Sequence, residues 1–164
     1  MVVVVSGVAG SGKTTIGSML AERMGVRYAD ADDFHPEANR LRMEAGMPLS
    51  DEDRKPWLAA ISAWIDERLA AGESGVVSCS ALKRSYREQL SRPGVRLIFL
   101  DVDRETIEER LADRKGHFFP AELAASQFET LEEPEPEENV IIVDATSPPE
   151  EVVYLIQSAV SPQG

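Results

Sequence analysis

The segment GVAGSGKTT, from Gly7 to Thr15, holds residues whose types and spacing could bind a phosphate. It completes the pattern G-x-x-x-x-G-K-T between a run of four valines and an amphipathic helical pattern. Glycines let backbone N–H groups turn inward around an anion, and the positive end of the following helix adds to the attraction. Lys13 is expected to reach the β- and γ-phosphates of a nucleotide, and the Thr14 hydroxyl is expected to ligate Mg²⁺. The nucleotide is therefore predicted to contact Gly7, Val8, Ala9, Gly10, Ser11, Gly12, Lys13, Thr14 and Thr15.

A second polar segment, DADDFHPEAN, follows the second predicted strand. Because side chains alternate along a strand, Asp30 and Asp32 are expected to point the same way. Two carboxylates beside a phosphate site are costly unless a positive or hydroxylic partner lies there. Mg²⁺ and a substrate hydroxyl would both serve, so the segment predicts a metal or acceptor site next to the nucleotide.

The phosphate motif alone leaves the reaction open, because GTPases, motor ATPases and small-molecule kinases all carry it. A GTPase would be expected to carry an N-K-x-D guanine-binding motif, which the sequence lacks. A motor ATPase would be expected to have an apolar strand that ends in an acidic pair. The nearest candidate, LIFLDVD, separates Asp101 from Asp103 and is interpreted as a buried strand followed by a helix cap.

Five short apolar runs, rich in β-branched residues and without clean alternation, predict strands that are covered on both faces. They are Val2–Val5, Val26–Ala29, Gly75–Cys79, Arg96–Asp101 and Val140–Asp144. Helical patterns lie between them, which predicts an α/β fold with a parallel sheet and helices on both faces. Ligands bind such sheets beyond the carboxyl ends of the strands, where both candidate sites fall.

Helix boundaries follow from capping residues and breakers. Ser50 and Asp53 resemble a capping box, and a long helix is predicted from Pro56 to near Gly72. Asp103 is expected to cap a later helix. With no internal repeat and no linker in its 164 residues, the chain is predicted to be a single domain over 1–164.

Composition limits the partners. The net charge of −12 argues against a broad nucleic-acid-binding face. Much of the acidic excess lies in ETLEEPEPEEN, from Glu129 to Asn139, which is interpreted as an exposed loop. No apolar stretch approaches the length of a membrane span. The single cysteine, Cys79, leaves no internal disulfide and favours a reducing cytoplasm.

Longer motifs narrow the function. They are GVAGSGKTT, DADDFHPEAN, PLSDEDRKPWL, CSALKRSYR, RKGHFF and QFETLEEP, in this order. Together they resemble the gluconate kinases of the small P-loop type, which are related to shikimate and adenylate kinases. The resemblance implies a nucleoside-monophosphate-kinase-like P-loop architecture with ATP and Mg²⁺ as cofactors, and phosphorylation of D-gluconate to 6-phospho-D-gluconate. It also implies a helical substrate segment at about 33–71, a lid at about 114–120 and a homodimer.

Gluconate carries hydroxyls and a carboxylate, and the resemblance assigns residues to each. Asp32 is expected to accept the hydrogen bond of the reacting hydroxyl, with Asp30 on the Mg²⁺ side through water. His35 and Asn39 are expected to contact other hydroxyls. Arg54 is expected to bind the carboxylate, and Lys83 and His117 to contact gluconate or the transferred phosphoryl group.

On the nucleotide side, resemblance to related kinases implies that Arg110 stacks on adenine and that Arg114 reaches the phosphates as a catalytic cation. Thr146, after the last strand, is expected to border the adenine. Two alternatives stay open: a kinase of another small polyol or hydroxy acid, such as shikimate, and a non-catalytic nucleotide-binding regulator. The regulator would need neither Asp32 nor Arg54.

Overall fold

A single parallel sheet forms the centre of the molecule. The computed structural model describes residues 1–47, 49–112 and 121–160, and only the backbone of 121–123. The strands lie in the order β2-β3-β1-β4-β5, all neighbours parallel. Each lies within one residue of its predicted bounds: β1 (Val2–Ser6), β2 (Arg27–Asp30), β3 (Gly75–Ser78), β4 (Val95–Asp101) and β5 (Ile141–Asp144).

Seven helices of the described chain pack on the sheet or extend from it. They are α1 (Lys13–Met24), α2 (Glu37–Glu44), α3 (Asp51–Ala70), α4 (Arg84–Leu90), α5 (Arg104–Ala112), α6 (Ala121–Thr130) and α7 (Pro149–Val160). This confirms the predicted α/β class. No helix in the described ranges is long and apolar enough to cross a membrane.

The four valines of β1 explain why this strand is central. Val3 and Val5 face a core formed with α1, α5 and α7, whereas Val2 and Val4 face a second core formed with α3 and α4. All four are fully buried, and each buried valine contributes roughly 1.5 kcal/mol or more. An uninterrupted apolar run is therefore what a strand covered on both faces requires.

The third helix begins earlier than predicted. The capping box is confirmed, because the Ser50 hydroxyl accepts from the Asp53 N–H at 3.1 Å and the Asp53 carboxylate accepts from the Ser50 N–H at 2.9 Å. The helix starts directly after it, at Asp51, so the predicted start at Pro56 is wrong. Pro56 lacks an N–H donor, but the box holds the first turn and the buried Trp57 anchors the next.

The acidic segment is also less exposed than its composition predicts. Its first two residues, Glu129 and Thr130, end α6. Glu138 forms an ion pair with Arg87 in which the side chains are 4% and 1% exposed. The interpretation as a solvated loop is therefore wrong for Glu138, because a buried guanidinium holds its carboxylate.

Candidate functional site

The loop between β1 and α1 has the geometry of an anion cradle. Gly12 caps α1 in a left-handed conformation (φ 96°), and no side chain caps the first helical N–H groups. A Cβ on Gly7 would lie 2.6 Å from Ser11 Oγ and 3.2 Å from the Leu100 carbonyl, so only glycine fits there. Ser11 Oγ is buried without a hydrogen-bond partner among the described atoms. A polar, glycine-lined loop with an orphaned hydroxyl fits a bound phosphate.

Lys13 and Thr14 lie at the mouth of this loop. Lys13 Nζ donates to the Val8 carbonyl at 3.3 Å. The Thr14 hydroxyl donates to Asp30 Oδ2 at 3.3 Å, which brings the predicted metal-side pair together. The P-loop therefore meets the end of β2, as the sequence analysis expected.

Asp30 and Asp32 meet the P-loop by a different geometry from the one predicted. The strand ends at Asp30, and residues 31–34 form a 3₁₀ turn instead of continuing it. Asp30 Oδ1 caps this turn by accepting from the Asp32 N–H at 3.0 Å. The prediction from strand alternation is therefore wrong, because a short polar side chain competes with the strand for the backbone N–H.

The two carboxylates still share one cavity with the P-loop. The cavity measures about 310 Å³, and its lining includes Lys13, Thr14, Asp30, Asp32 and Ser80. Asp32 opens onto it, and the surrounding protein partly desolvates its carboxyl. This desolvation, together with repulsion from Asp30, raises the pKa of Asp32 above the ordinary value of 3.8, while Lys13 acts in the opposite direction. Such a carboxyl is suited to accepting a proton.

A second cavity of about 410 Å³ adjoins the first and shares Gly10, Gly12 and Thr15 with it. Arg110 bridges its two sides. Its guanidinium donates to the Gly10 carbonyl at 3.2 Å and to the Ala145 carbonyl at 3.0 Å. This cavity therefore lies between the phosphate loop, α5 and the loop after β5.

Thr146 is not among the residues that line that cavity. Its hydroxyl and its N–H both donate to Asp144 Oδ1, at 2.6 and 2.9 Å, and the residue is exposed. Its neighbours Ala145 and Ser147 line the cavity. The loop after β5 therefore borders the second cavity through Ala145 and Ser147, while Thr146 closes the turn of this loop.

His35 and Asn39 are buried against α3. The His35 ring stacks on Trp57 with centroids 4.6 Å apart. Asn39 Nδ2 donates to the Asp53 carbonyl at 2.8 Å and lies 3.3 Å from His35 Nδ1. Burial, and then the positive charge of Arg54, lower the pKa of His35 below 6.5, so the ring is neutral at neutral pH.

Arg54 and Lys83 belong to one cluster at the starts of α3 and α4, which also contains Asp51 and Tyr86. Tyr86 accepts from Arg54 Nη1 at 3.2 Å and donates to Asp51 Oδ1. Lys83 Nζ donates to the same Asp51 oxygen at 2.7 Å, which lowers the pKa of Asp51 and raises that of Lys83. The cluster therefore contains two cations, Arg54 and Lys83, and one carboxylate, Asp51.

Sequence reasoning missed Asp51 and Tyr86. The signal was present as spacing, because Asp51 and Arg54 are three residues apart at the start of one helix, and Lys83 and Tyr86 are three apart at the start of the next. Residues so spaced share a helix face. Nothing in the sequence, however, brings the two faces together.

Two other contacts with the P-loop were missed. Gln127 Oε1, on α6, accepts from the Ala9 N–H at 3.0 Å. Ser78 Oγ donates to the Lys13 carbonyl at 2.8 Å and accepts from the Tyr28 hydroxyl at 3.0 Å. Gln127 lies within one of the family motifs, which could have marked it. Arg114, His117 and the lid at about 114–120 lie outside the described residues.

The chain is similar to known small-molecule kinases in sequence and in structure. The family model for shikimate kinase matches residues 9–161. A gluconokinase from Gluconobacter oxydans (strain 621H) is 47% identical over 152 residues, which cover 92% of this chain and 85% of the relative. A solved gluconokinase from Sinorhizobium meliloti 1021 shares 46% identity and a TM-score of 0.81, covering 93% of this chain and 86% of its own. An unliganded sugar kinase from Janibacter sp. HTCC2649 shares 46% identity and a TM-score of 0.87, covering 96% and 92%.

Proposed function

Because the chain belongs to the gluconokinase family, we propose that it transfers the γ-phosphoryl group of ATP to the 6-hydroxyl of D-gluconate. The products are ADP and 6-phospho-D-gluconate. The observation that carries the proposal is the shared cavity in which Lys13 and Thr14 of the phosphate loop meet Asp30 and Asp32. A nucleotide-binding regulator would need the phosphate loop but no acceptor carboxylate beside it.

The reaction assigns a role to each of these groups. The backbone of residues 7–15 and Lys13 hold the phosphates, and the preformed dipoles stabilise charge as it spreads over the moving phosphoryl group. Asp32 accepts the hydrogen bond of the gluconate hydroxyl and orients its oxygen towards the γ-phosphorus. A new O–P bond forms, the bond to the β–γ bridging oxygen breaks, and the hydroxyl proton passes to Asp32 and then to water.

The residues beside the phosphate loop also fit a bound Mg²⁺ ion. No three His, Cys, Asp or Glu side chains come together as a metal group in the described ranges. Magnesium in phosphoryl-transfer sites is usually held by few protein oxygens together with phosphates and waters. The Thr14 hydroxyl and the Asp30 carboxylate, 3.3 Å apart, supply such oxygens. When bound, Mg²⁺ would neutralise phosphate charge.

The acceptor substrate lies on the side of α2, α3 and α4. Arg54 and Lys83 bind the gluconate carboxylate, since both are cations held in one cluster, Lys83 by the Asp51 carboxylate and Arg54 by the Tyr86 hydroxyl. His35 and Asn39 shape the hydroxyl end of the site, where the neutral imidazole offers one donor and one acceptor. The proposed substrate site therefore consists of the segment at about 33–71, which the resemblance implied, together with α4.

The nucleotide base occupies the second cavity. Arg110 forms one wall and can stack on adenine, supported by its bonds to the Gly10 and Ala145 carbonyls. The backbone beside Thr146 forms the other wall. Arg114 and His117 keep their proposed roles in a lid at about 114–120, on the strength of the family resemblance alone.

A coupled ADP-release assay with a panel of sugar acids and shikimate tests the proposal. We expect turnover with D-gluconate that requires ATP and Mg²⁺. The shikimate kinase family model gives the main competitor, and ADP release with shikimate but not gluconate would favour it. ADP release without any acceptor dependence would contradict a small-molecule kinase.

We further propose a homodimer, which the family resemblance predicts, and a cytoplasmic location, which the single buried Cys79 favours. Light scattering coupled to size-exclusion chromatography tests the first. A mass near 18.0 kDa, the mass of one chain, would contradict it.

A further inference from the structure

The turn that follows β3 contains a strained residue. Among non-glycine residues of the described chain, Ala81 and Asn139 have positive φ, 41° and 60°. Asparagine adopts this region readily, but alanine does so at a steric cost and without a polar side chain to compensate. Ala81 is also buried, at 1% exposure. Such a conformation persists only where the surrounding structure holds it.

The guanidinium of Arg87 holds this turn. Its Nη1 donates to the Ala81 carbonyl at 3.2 Å and to the Leu82 carbonyl at 3.1 Å. Its Nε and Nη2 donate to the two carboxylate oxygens of Glu138, at 2.8 and 3.2 Å. The fork is therefore bidentate towards the carboxylate, while its remaining side faces the two backbone carbonyls.

Glu138 is itself fixed. Its Oε2 accepts from the Glu135 N–H at 2.8 Å, and the hydrogen bonds from Arg87 hold the pKa of Glu138 below its usual value of 4.5. Burying an ion pair is not an efficient source of stability, because its desolvation cost offsets most of the attraction. What this pair supplies beyond stability is orientation of the carbonyls that it binds.

The turn joins the two halves of the proposed active site. On its N-terminal side Ser80 lines the phosphate cavity together with Lys13 and Asp32. On its C-terminal side, Lys83 is the N-cap residue of α4 and donates a hydrogen bond to Asp51. Both belong to the cluster of Asp51, Arg54, Lys83 and Tyr86, which is called the substrate cluster below. A change in the peptide planes at Ala81 and Leu82 would move both side chains.

We propose that Arg87 and Glu138 are positioning residues for phosphoryl transfer. The buried pair holds the left-handed turn at Ala81, so that Ser80 faces the phosphate cavity and Lys83 faces the acceptor substrate. Neither Arg87 nor Glu138 touches substrate. The proposal rests on the proposed function for its kinetic test, and it has a structural test that does not.

The kinetic test compares Glu138→Gln and Arg87→Lys with Glu137→Gln. The control removes the neighbouring ion pair between Arg84 and Glu137, whose side chains are 40% and 60% exposed, and leaves the Ala81 turn intact. We expect Glu138→Gln and Arg87→Lys to raise the gluconate KM about tenfold or more and to lower kcat, because Ser80 moves together with Lys83. The ATP KM is expected to stay within about twofold, and the control to match wild type. A lower melting temperature with both KM values unchanged would overturn the proposal.

Rescue by Ala81→Gly separates positioning from general stability. Glycine adopts a positive φ without strain, so a glycine turn depends less on the Arg87–Glu138 pair to reach the observed conformation. In wild type, Ala81→Gly is expected to keep both KM values within about twofold. Added to Glu138→Gln, it is expected to restore most of the gluconate KM. Failure to restore it in the folded double variant would overturn the proposal.

Hydrogen–deuterium exchange of the peptide covering residues 79–84 gives the test that is independent of substrate. Glu138→Gln is expected to speed exchange there, and Glu137→Gln is not. Equal exchange in both variants would contradict the proposal that the Arg87–Glu138 pair holds the Ala81 turn, whichever substrate the enzyme phosphorylates. If wild type does not turn over gluconate but the exchange result is as expected, the proposed function is wrong, and the Arg87–Glu138 pair is still shown to hold the Ala81 turn.

Discussion

At the scale of single residues, Asp32 carries the most specific chemistry of the site. Its carboxyl is partly desolvated beside Asp30, and both effects raise its pKa. A carboxyl whose folded pKa lies above its unfolded pKa favours folding at low pH, and that contribution is lost as the pH rises through the folded value. At neutral pH the ionised Asp32 is therefore expected to lower the stability of the fold, which is consistent with its proposed role in the reaction.

The Asp32→Asn variant tests both the proposed role of Asp32 in the reaction and its expected effect on stability. The amide keeps the shape but cannot accept the proton, so we expect kcat to fall ~10²-fold or more while Mg·ATP binding is nearly unchanged. The same variant should melt at a higher temperature at pH 7. In wild type, kcat/KM should decline on acidification through a pKa above 3.8, and this decline should be absent from the residual activity of the variant. Loss of Mg·ATP affinity in Asp32→Asn but not in Asp30→Asn would reverse the two roles.

In the proposed function, Arg54 is expected to bind the substrate carboxylate in the ground state and in the transition state alike. Arg54→Ala should therefore raise the gluconate KM far more than the ATP KM, with a smaller change in kcat. Steady-state kinetics with each substrate varied in turn measure this. Lys55→Ala is a matched control, since Lys55 is the next residue along α3 and its charge pairs with the exposed Glu52. A rise in the ATP KM alone would place Arg54 on the nucleotide side.

At the scale of elements, the start of α3 sets the geometry of the substrate cluster. The capping box of Ser50 and Asp53 fixes the first turn, which carries Asp51 and Arg54. Helix caps stabilise by satisfying N–H groups that have no partner within the helix. A change in the cap should therefore affect both folding and gluconate binding.

Ser50→Ala is expected to lower the free energy of unfolding by about 1 kcal/mol and to raise the gluconate KM. Ser50→Asp, which keeps an N-cap acceptor, is expected to retain both properties. Denaturant titration and gluconate kinetics of the two variants check this. Equal behaviour of Ser50→Ala and Ser50→Asp would mean that the cap plays no part.

How much could be read from the sequence differs from one element to the next. The sheet was predictable because β1, β3 and β4 are apolar runs that pack on both faces. The P-loop was predictable because its spacing is tied to one ligand. The path of the chain after Asp30 was not predictable from the sequence, because a continued strand and a turn capped by the Asp30 side chain differ little in local free energy. The Arg87–Glu138 pair was not, because its members are 51 residues apart in the chain.

At the scale of the whole molecule, the nucleotide and substrate sides are joined by α6 and the segment after it. Gln127 contacts the P-loop at the Ala9 N–H. Glu132 contacts the start of α4, accepting from the Arg84 N–H at 2.8 Å and donating its own N–H to the Leu82 carbonyl. The described contacts of α6 and the segment after it therefore tie the P-loop to the start of α4.

Direct identification of the product tests the central claim most sharply. The purified chain is incubated with ATP, Mg²⁺ and D-gluconate, and the products are identified by mass spectrometry and ³¹P NMR. We predict equal amounts of ADP and 6-phospho-D-gluconate, and a kcat for Lys13→Met that is reduced on the order of a hundredfold or more. Phosphorylation of shikimate or AMP, with gluconate recovered unchanged, would contradict the account.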